Sequence, residues 1–331
     1  MKKQKALNIP IRSRRLRRTS GIRRLFSETE VTPSHLVAPL FVVDGQGKPE
    51  SIRSLPGHFR FPLSGLLREA TRLARRGVGG IAVFPCISQR LRNPNAKEAL
   101  NSNGLVYRTI RALKRELPDF PVFADVALDP YTSHGHDGVL NQSGRDVDND
   151  ATVRLLMKQA VLLAEAGADF VAPSDMMDGR IGYIRQALDK AGLTETGILS
   201  YAAKFASSLY GPFRDAVGSA QSAGTHSLDK RGYQADPANR KSTLRDALLD
   251  EKEGADVLMV KPAGPYLDIL RELRENCRLP LAAYQVSGEY AQIQAAALKG
   301  WVDPRKARDE SLLSIRRAGA DIVFTYFAKD F

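Results

Sequence analysis

The sequence predicts a single (β/α)8 barrel of the TIM type, preceded by an extended basic N-terminal arm. Short apolar segments alternate with segments of helical periodicity eight times along the chain. Three helical segments end in the same phrase, Gly-Ala-Asp, at residues 167–169, 254–256 and 319–321. A glycine there provides the left-handed turn that ends a helix, and eight repeated units favour a closed barrel over an open sheet. The 331 residues suit one barrel at 35–331 and an arm at 1–34.

Each repeated unit pairs one strand with one helix. The candidate strands are rich in Val, Ile, Phe and Ala, and lie at 36–43, 80–84, 122–128, 170–173, 197–203, 256–260, 281–286 and 321–326. The candidate helices lie at 63–76, 106–117, 151–166, 181–191, 242–253, 266–275, 290–299 and 304–318.

The net charge of +12 is concentrated in the arm. Residues 1–24 contain ten Lys and Arg and no acidic residue, which leaves 39 basic and 37 acidic side chains in the rest. Such an arm could bind nucleic acid or an anionic membrane, act as a transit peptide, or contact a neighbouring subunit. Of these we favour subunit contact.

Several classes of protein are disfavoured by composition. No apolar stretch is long enough to cross a bilayer, and no apolar run follows the early lysines as in a secretory signal. Cys86 and Cys277 are far apart, which gives no support to a disulfide framework or a thiolate zinc site. We therefore expect a cytoplasmic protein without membrane association.

Polar residues occur at the ends of the later strands, where barrel enzymes carry their active residues. Any one of them is more often a turn former or a helix cap, but their agreement on one face predicts an active site. They are Asp125, Asp129, Ser174, Asp175, Lys204, Lys261, Ser287 and Tyr326.

Lys204 and Lys261 follow two successive candidate strands. A lysine held in an apolar pocket tends to lose its proton because desolvation disfavours the ammonium form, and the neutral amine attacks carbonyl groups. The alternative is that each lysine extends to the surface at a strand end. Two such lysines on neighbouring strands favour chemistry.

The segment 205–240 has no clear helix or strand and is rich in Gly, Pro and Ser. Because it begins directly after Lys204, we expect an active-site lid. Arg214, Lys230 and Arg231 could bring positive charge onto an anionic substrate. The alternative is a solvated basic loop.

Eight short motifs together resemble the porphobilinogen synthase family, also called 5-aminolaevulinate dehydratase. They are RRLRR (14–18), APLFVV (38–43), DPYTSHGH (129–136), KFAS (204–207), YGPFRD (210–215), VKP (260–262), PYLDI (265–269) and VSGE (286–289). The resemblance covers essentially the whole chain. It implies a barrel whose arm embraces a neighbour, commonly in a homo-octamer, and so favours subunit contact over nucleic-acid binding.

The resemblance also implies the reaction and the roles of residues. Two molecules of 5-aminolaevulinate condense to porphobilinogen with loss of two waters, a lyase reaction of tetrapyrrole (haem) biosynthesis. By this match Lys261 forms the principal Schiff base and Lys204 holds the second substrate. By the same match, Ser287 and Tyr326 would bind the carboxylate of the first substrate, and Arg214 and Lys230 that of the second. Many relatives have Arg at the position of Lys230. The supporting residues would be Asp125, Asp129, Asp137, Ser174, Asp175, Phe213 and Tyr284.

The metal pattern differs from that of zinc-type relatives, which place three cysteines where this chain has Ala127, Asp129 and Asp137. Oxygen ligands suit magnesium or potassium, so we expect no zinc and no organic cofactor. Asp246 matches a glutamate that binds an allosteric magnesium in many relatives, and the alternative is a solvated helix carboxylate. For His134 and His136 we favour hydrogen-bonded structural roles over metal binding.

Two other functions compete with this interpretation. A class I aldolase or related lyase would share the barrel and a lysine Schiff base, but would normally need one reactive lysine and a sugar-phosphate site. A nucleic-acid-binding protein would explain the arm and leave both strand-end lysines unexplained. Binding to DNA that weakens steeply with salt would favour the latter.

Overall fold

The computed structural model describes residues 9–218 and 230–331, and these fall into two compact units with their boundary between Glu30 and Val31. The first unit therefore ends at Glu30, whereas the sequence placed the end of the arm at residue 34. Its described part contains a short 3-10 helix, Ser13–Arg17, and the helix α1, Ser20–Leu25. The Thr19 hydroxyl caps α1 by accepting a hydrogen bond from the Ile22 amide (3.2 Å).

The second unit is the predicted barrel. Each of eight parallel strands pairs with the next, and the last pairs with the first through Leu36 and Val323, so the sheet is closed. We number these barrel strands β1 Leu36–Val43, β2 Gly80–Cys86, β3 Val122–Val126, β4 Phe170–Pro173, β5 Gly197–Lys204, β6 Val257–Lys261, β7 Leu281–Gln285 and β8 Ile322–Thr325. The prediction of a (β/α)8 barrel is confirmed.

A small hairpin, which the sequence did not predict, extends the sheet beside β1. Its strands are Glu50–Ser51 and Phe59–Pro62, and the second pairs in parallel with β1 from Phe41 to Val43. The two strands are too short to show a clear alternation of apolar residues.

The helices of this unit follow the strands. They are α2 Leu63–Arg75, α3 Leu105–Glu116, α4 Asn149–Glu165, α5 Arg180–Lys190, α6 Gly211–Ala216, α7 Arg240–Glu253, α8 Leu267–Asn276, α9 Ser287–Leu298 and α10 Pro304–Ala318. All eight predicted helices are present, with ends that differ by a few residues at most. Among the described residues, no helix has both the length and the apolar character needed to span a membrane.

The segment 205–240 is more ordered than the sequence predicted. It contains α6 and two 3-10 turns, Ser208–Tyr210 and Lys230–Gly232, so the expectation of a segment without helix was wrong. Pro212 stands in the first turn of α6, where its missing amide hydrogen costs no helical hydrogen bond. The central part of the predicted lid, residues 219–229, lies outside the described residues.

The repeated Gly-Ala-Asp phrase has a structural explanation. Gly167, Gly254 and Gly319 have positive φ angles (103°, 103° and 130°) and end their helices, as predicted. The aspartate of each phrase then accepts a hydrogen bond from the first or second residue of the preceding barrel strand. The three pairs are Asp169 with the Val122 amide (2.8 Å), Asp256 with Ile198 in β5 (2.7 Å) and Asp321 with Leu281 (2.8 Å). The phrase thus joins neighbouring strands at their amino ends and leaves the carboxyl ends free to carry a site.

Candidate active site

Lys204 and Lys261 are the last residues of β5 and β6, and they face each other in register across these strands. The sequence placed each lysine just after its strand, whereas the structure includes both in the sheet. Their exposed fractions are only 6% and 7%. The alternative interpretation, in which they extend to the surface, is therefore wrong.

The amine of Lys261 lies among aromatic rings. Its Nζ is 4.7 Å from the ring centre of Tyr284, 4.9 Å from Tyr201, 5.3 Å from Tyr210 and 5.4 Å from Phe213. Burial, together with the nearby charge of Lys204, lowers the pKa of Lys261 to about 7. A large fraction of this side chain is consequently an uncharged amine at neutral pH, which is the nucleophilic form.

Lys204 has a more polar environment. Its Nζ lies 3.3 Å from Oδ2 of Asp137 and donates to the carbonyl oxygen of Ser174. The other oxygen of Asp137 accepts from Lys230 (3.0 Å), and the Gln234 side-chain amide also donates to Asp137 (3.1 Å). Burial would raise the pKa of Asp137, but Lys204 and Lys230 outweigh it and hold that pKa below its ordinary value. Sequence reasoning did not find Gln234.

Two further carboxyl groups stand near the lysines. Asp125 lies within β3, although the sequence placed it at the strand end. Burial and then the neighbouring Asp129 raise the pKa of Asp125 to about 7, and its Oδ1 has no hydrogen-bond partner within the described part of the chain. Burial and the charge of Asp137 likewise raise the pKa of Asp129. Asp125 can therefore exchange a proton near neutral pH.

The predicted substrate contacts Ser287 and Tyr326, and the supporting residue Tyr284, are buried. Ser287, the first residue of α9, accepts a hydrogen bond from the Phe213 amide (3.0 Å) and donates to the Leu209 carbonyl (3.2 Å). The hydroxyls of Tyr284 and Tyr326 lie 3.4 Å apart. Ser287 thus connects the end of β7 to the segment that begins the predicted lid.

A cavity of about 610 Å³, a size typical of small-molecule sites, opens over the two lysines. Its wall includes eight of the predicted residues: Asp129, Asp137, Lys204, Phe213, Arg214, Lys230, Arg231 and Lys261. Six others are not on its wall, namely Asp125, Ser174, Asp175, Tyr284, Ser287 and Tyr326, and all of these except Asp125 are buried. The carboxyl face of the barrel therefore collects the cationic and nucleophilic groups in one place.

Asp175 supports the loop that follows β4. Its Oδ1 accepts from the Met177 amide (2.7 Å), and its Oδ2 lies 3.6 Å from the buried guanidinium of Arg180. Burial raises the pKa of Asp175 to about 6, against the opposing effect of Arg180. Arg180 also pairs with Asp250 (3.1 Å) and was not found from sequence, because nothing in α5 marks it as buried.

Asp246 lies apart from the lysine cavity. It lines a second cavity of about 570 Å³ together with five other acidic residues, and it pairs with Arg245 at 3.5 Å. These five are Asp146, Asp178, Asp236, Asp250 and Glu253. Within residues 9–218 and 230–331, no three His, Cys, Asp or Glu side chains are close enough to hold a metal directly.

His134 and His136 each have a contact at Nδ1, whereas the buried Nε2 of His134 has no hydrogen-bond partner among the described residues. Nδ1 of His136 lies 3.2 Å from the Tyr233 hydroxyl, and Nδ1 of His134 accepts from the His136 amide (3.2 Å). Burial lowers the pKa of His136 to about 4, so this ring is neutral at pH 7. Both histidines lie on the wall of the lysine cavity.

The fold and the site together define a class of enzyme. A barrel that holds an uncharged lysine at the carboxyl end of one strand, with a second buried lysine in register beside it, is suited to Schiff-base chemistry on carbonyl substrates. The neighbouring cations Arg214 and Lys230 suit a substrate that carries a carboxylate.

Comparison with known proteins identifies the family within this class. The family model described as Delta-aminolevulinic acid dehydratase matches residues 10–331. A delta-aminolevulinic acid dehydratase of Bradyrhizobium diazoefficiens is 50% identical over 323 residues, which cover 98% of this chain and 90% of the relative. That of Escherichia coli K12 is 50% identical over 319 residues, 96% of each chain.

A solved structure agrees. The delta-aminolevulinic acid dehydratase (porphobilinogen synthase) of Toxoplasma gondii, in complex with its reaction product porphobilinogen, superposes with a TM-score of 0.95 at 48% identity. The alignment covers 98% of this chain and 91% of that one. The chain belongs to the delta-aminolevulinic acid dehydratase family.

Proposed function

We propose that this chain condenses two molecules of 5-aminolaevulinate to porphobilinogen with loss of two waters, and that Lys261 is its principal nucleophile. The observation that carries the proposal is the position of the Lys261 amine, buried among four aromatic rings and in register with Lys204. Membership of the family supports the reaction, which belongs to tetrapyrrole biosynthesis.

The first step uses the neutral form of Lys261. Its Nζ attacks the ketone carbon of one substrate, a C=N bond replaces the C=O bond, and the carbonyl oxygen leaves as water. The protonated imine withdraws electrons, so that an adjacent carbon can lose a proton or accept attack. Asp125, whose pKa lies near 7, is our candidate for exchanging protons during these steps.

We assign Lys204 to the second substrate. Its contacts with Asp137 and with the Ser174 carbonyl orient the amine toward the cavity that it shares with Lys261. For the carboxylates, we assign Ser287 and Tyr326 to the first substrate and Arg214 and Lys230 to the second. Lys230 would act as a point charge, whereas an arginine could bind a carboxylate through two hydrogen bonds.

A zinc site of the thiolate type does not fit this chain. Burial raises the pKa of the Cys86 thiol to about 12, and neither cysteine lies in the lysine cavity. At the positions of the family cysteines, both oxygens of Asp137 are already bonded to Lys204, Lys230 and Gln234. No step of the proposed reaction uses zinc.

We further propose that Asp246 binds magnesium at a regulatory site. The second cavity offers six carboxylates, and among the described residues no three of them are close enough to bind an ion directly, which suits an ion that retains several of its waters. Bound there, the ion would supply positive charge to an acidic cavity beside α7.

We propose a cytoplasmic homo-octamer in which the arm contacts a neighbouring subunit, with no nucleic-acid partner. In support, the arm exposes the apolar side chains of Ile11, Leu25 and Phe26. Light scattering should give the mass of an octamer, and Phe26→Asp should reduce it. DNA binding that falls steeply with salt would contradict the assignment.

Borohydride reduction tests the proposed chemistry. Borohydride adds hydride to the imine carbon and leaves a stable secondary amine at the modified lysine. With 5-aminolaevulinate present, peptide mapping should locate the modification at Lys261. Unmodified Lys204 and Lys261 in an enzyme that still forms porphobilinogen would contradict the proposal.

A further inference from the structure

Glu289 is a buried carboxylate outside the residues assigned to the reaction. It is the third residue of α9 and is 7% exposed. Its oxygens accept three backbone hydrogen bonds, from the amides of Val286 (2.7 Å), Gly264 (2.7 Å) and Ala263 (3.3 Å). The bond to Val286 is the one that a glutamate at the third helical position commonly makes to the N-cap amide, although Val286 has no side-chain oxygen to complete a capping box. The other two come from a different loop.

That loop begins directly after Lys261, so Glu289 joins two segments that carry reactive groups. Ala263 and Gly264 follow Lys261 by two and three residues, and Val286 directly precedes Ser287. Ser287 in turn accepts from the Phe213 amide, and the Phe213 ring is 5.4 Å from Nζ of Lys261. One carboxylate therefore holds both the backbone that follows Lys261 and the backbone that leads to Ser287.

The available space shows how closely these segments fit. A Cβ atom at Gly264 would lie 2.7 Å from Oε1 of Glu289, and one at Gly288 would lie 2.5 Å from the Leu209 carbonyl oxygen. Real Cβ contacts are not this short, so a side chain at Gly264 would displace the carboxylate.

Keeping a carboxylate in this place is costly. Burial raises the pKa of Glu289 to about 7, and the three amide donors oppose that rise. A glutamate at the third position of a surface helix makes the same contact with its N-cap amide without this cost, because an exposed carboxylate remains solvated.

We propose that Glu289 is a positioning residue, which fixes the loop after Lys261 relative to Val286 and Ser287 so that the amine meets a substrate held by its carboxylate. This inference rests on the proposed function. Misplacement of a reacting group by about 1 Å can lower a rate roughly a hundredfold, so loss of this contact is measurable.

The test compares Glu289→Asp and Gly264→Ala with the control Asp303→Ala. Aspartate is one methylene shorter than glutamate. We expect it to keep the hydrogen bond from the nearby Val286 amide and to lose the hydrogen bonds from the amides of Ala263 and Gly264. Gly264 is itself exposed, so Gly264→Ala should leave the fold intact. Its added methyl group would displace the carboxylate of Glu289. Asp303→Ala removes only the cap of α10, where Asp303 accepts from the Lys306 amide.

The readout is the initial rate of borohydride trapping with 5-aminolaevulinate, determined separately at Lys204 and Lys261 by peptide mass spectrometry, together with Tm. We expect both test variants to lower the rate of trapping at Lys261 by about tenfold or more, and to leave the rate at Lys204 near that of the wild type. In Asp303→Ala, the rates at both lysines should stay near those of the wild type. If Gly264→Ala is trapped at Lys261 at the wild-type rate, the inference is overturned, whether or not Glu289→Asp folds. An equal loss of trapping rate at Lys204 and Lys261 in the test variants, accompanied by a lower Tm, would also overturn it, because it would show a role in stability alone. Absence of trapping at Lys261 in the wild-type enzyme would instead contradict the proposed function.

Discussion

Lys204 and Lys261 stand opposite each other in register at the carboxyl ends of β5 and β6, but their surroundings differ. The amine of Lys204 lies 3.3 Å from the carboxylate of Asp137, whereas the amine of Lys261 lies among four aromatic rings. The same backbone position thus supports an ion-paired lysine on one strand and, on the next, a lysine whose pKa is lowered by burial.

The first prediction concerns Lys261→Ala. We expect this variant to lose porphobilinogen formation and to remain folded, because it removes a nucleophile from a pocket that does not favour charge. Production of porphobilinogen and the circular dichroism spectrum are the measurements. Lys241→Ala, at an exposed position in α7, should retain activity. Undiminished product from Lys261→Ala would contradict the assignment.

The second prediction concerns pH. Burial and then the charge of Lys204 lower the pKa of Lys261 to about 7, so kcat/KM should rise with pH through that value as the neutral amine forms.

Stability should show the same titration. Between pH 7 and the ordinary lysine pKa of about 10.4, the unfolded chain binds a proton at Lys261 that the native chain does not bind. The free energy of unfolding should therefore rise with pH across this window relative to Lys261→Met, as measured by urea denaturation. Parallel stability profiles of the two proteins would contradict the lowered pKa.

The third prediction concerns Asp137→Ala. Removing this buried carboxylate leaves Lys204 without its ion pair, so we expect a loss of about 3–5 kcal/mol in the free energy of unfolding at pH 7. Because the folded pKa of Asp137 is lowered, this stabilisation should diminish as pH falls below the ordinary aspartate pKa of about 3.9.

Glu275→Ala provides the matched control. Glu275 pairs with Arg271 across one exposed turn of α8, and its loss should cost no more than about 0.5 kcal/mol. Similar losses in the two variants would show that the Asp137 pairs add little to stability.

The fourth prediction concerns Arg60, which holds the carboxyl end of α6. Its guanidinium donates to the carbonyl oxygens of Ala216 (2.6 Å) and Asp215 (2.7 Å), and α6 carries Phe213 and Arg214. Arg60→Ala should raise KM several-fold, since Arg214 would no longer be held over the cavity. Arg72→Ala, which removes an exposed pair with Glu69, is the control. An unchanged KM in Arg60→Ala would show that α6 keeps its place without this contact.

The fifth prediction concerns magnesium. Calorimetry should detect Mg²⁺ binding by the full chain, and Asp246→Asn should weaken it because a neutral amide attracts the cation less than a carboxylate. Glu251→Gln, elsewhere on α7, should bind Mg²⁺ like the wild type. Equal affinity in Asp246→Asn would exclude Asp246 as a ligand.

Local pattern was sufficient to predict the barrel. Each strand and each long helix follows the periodicity of its own apolar residues, and the glycines of the Gly-Ala-Asp phrases mark helix ends directly in the sequence. The two lysines were also found locally, because the position of a residue at the end of a barrel strand places it on the active face.

Partners distant in sequence could not be predicted in this way. Gln234 and Asp137 are 97 residues apart, and only the closed barrel brings them together. Glu289 reaches the Val286 amide three residues away, but its contacts with Ala263 and Gly264 join segments 26 and 25 residues apart in sequence, and no local pattern marks them.

Tyr201 was missed for another reason. In a regular strand, residues 201 and 204 point to opposite faces, because side chains alternate. A register shift between Ser200 and Ala203 interrupts the alternation of β5. The Tyr201 ring can therefore reach the pocket of Lys261 on the face from which Lys204 projects.

The central claim is that Lys261 carries an uncharged amine in the resting enzyme. NMR of the protein with ¹³C at the lysine ε-carbons measures this directly, with Lys261→Met to assign the signal. We predict that Lys261 titrates near pH 7 in the substrate-free enzyme. Titration near the ordinary lysine value of about 10.4 would contradict the account.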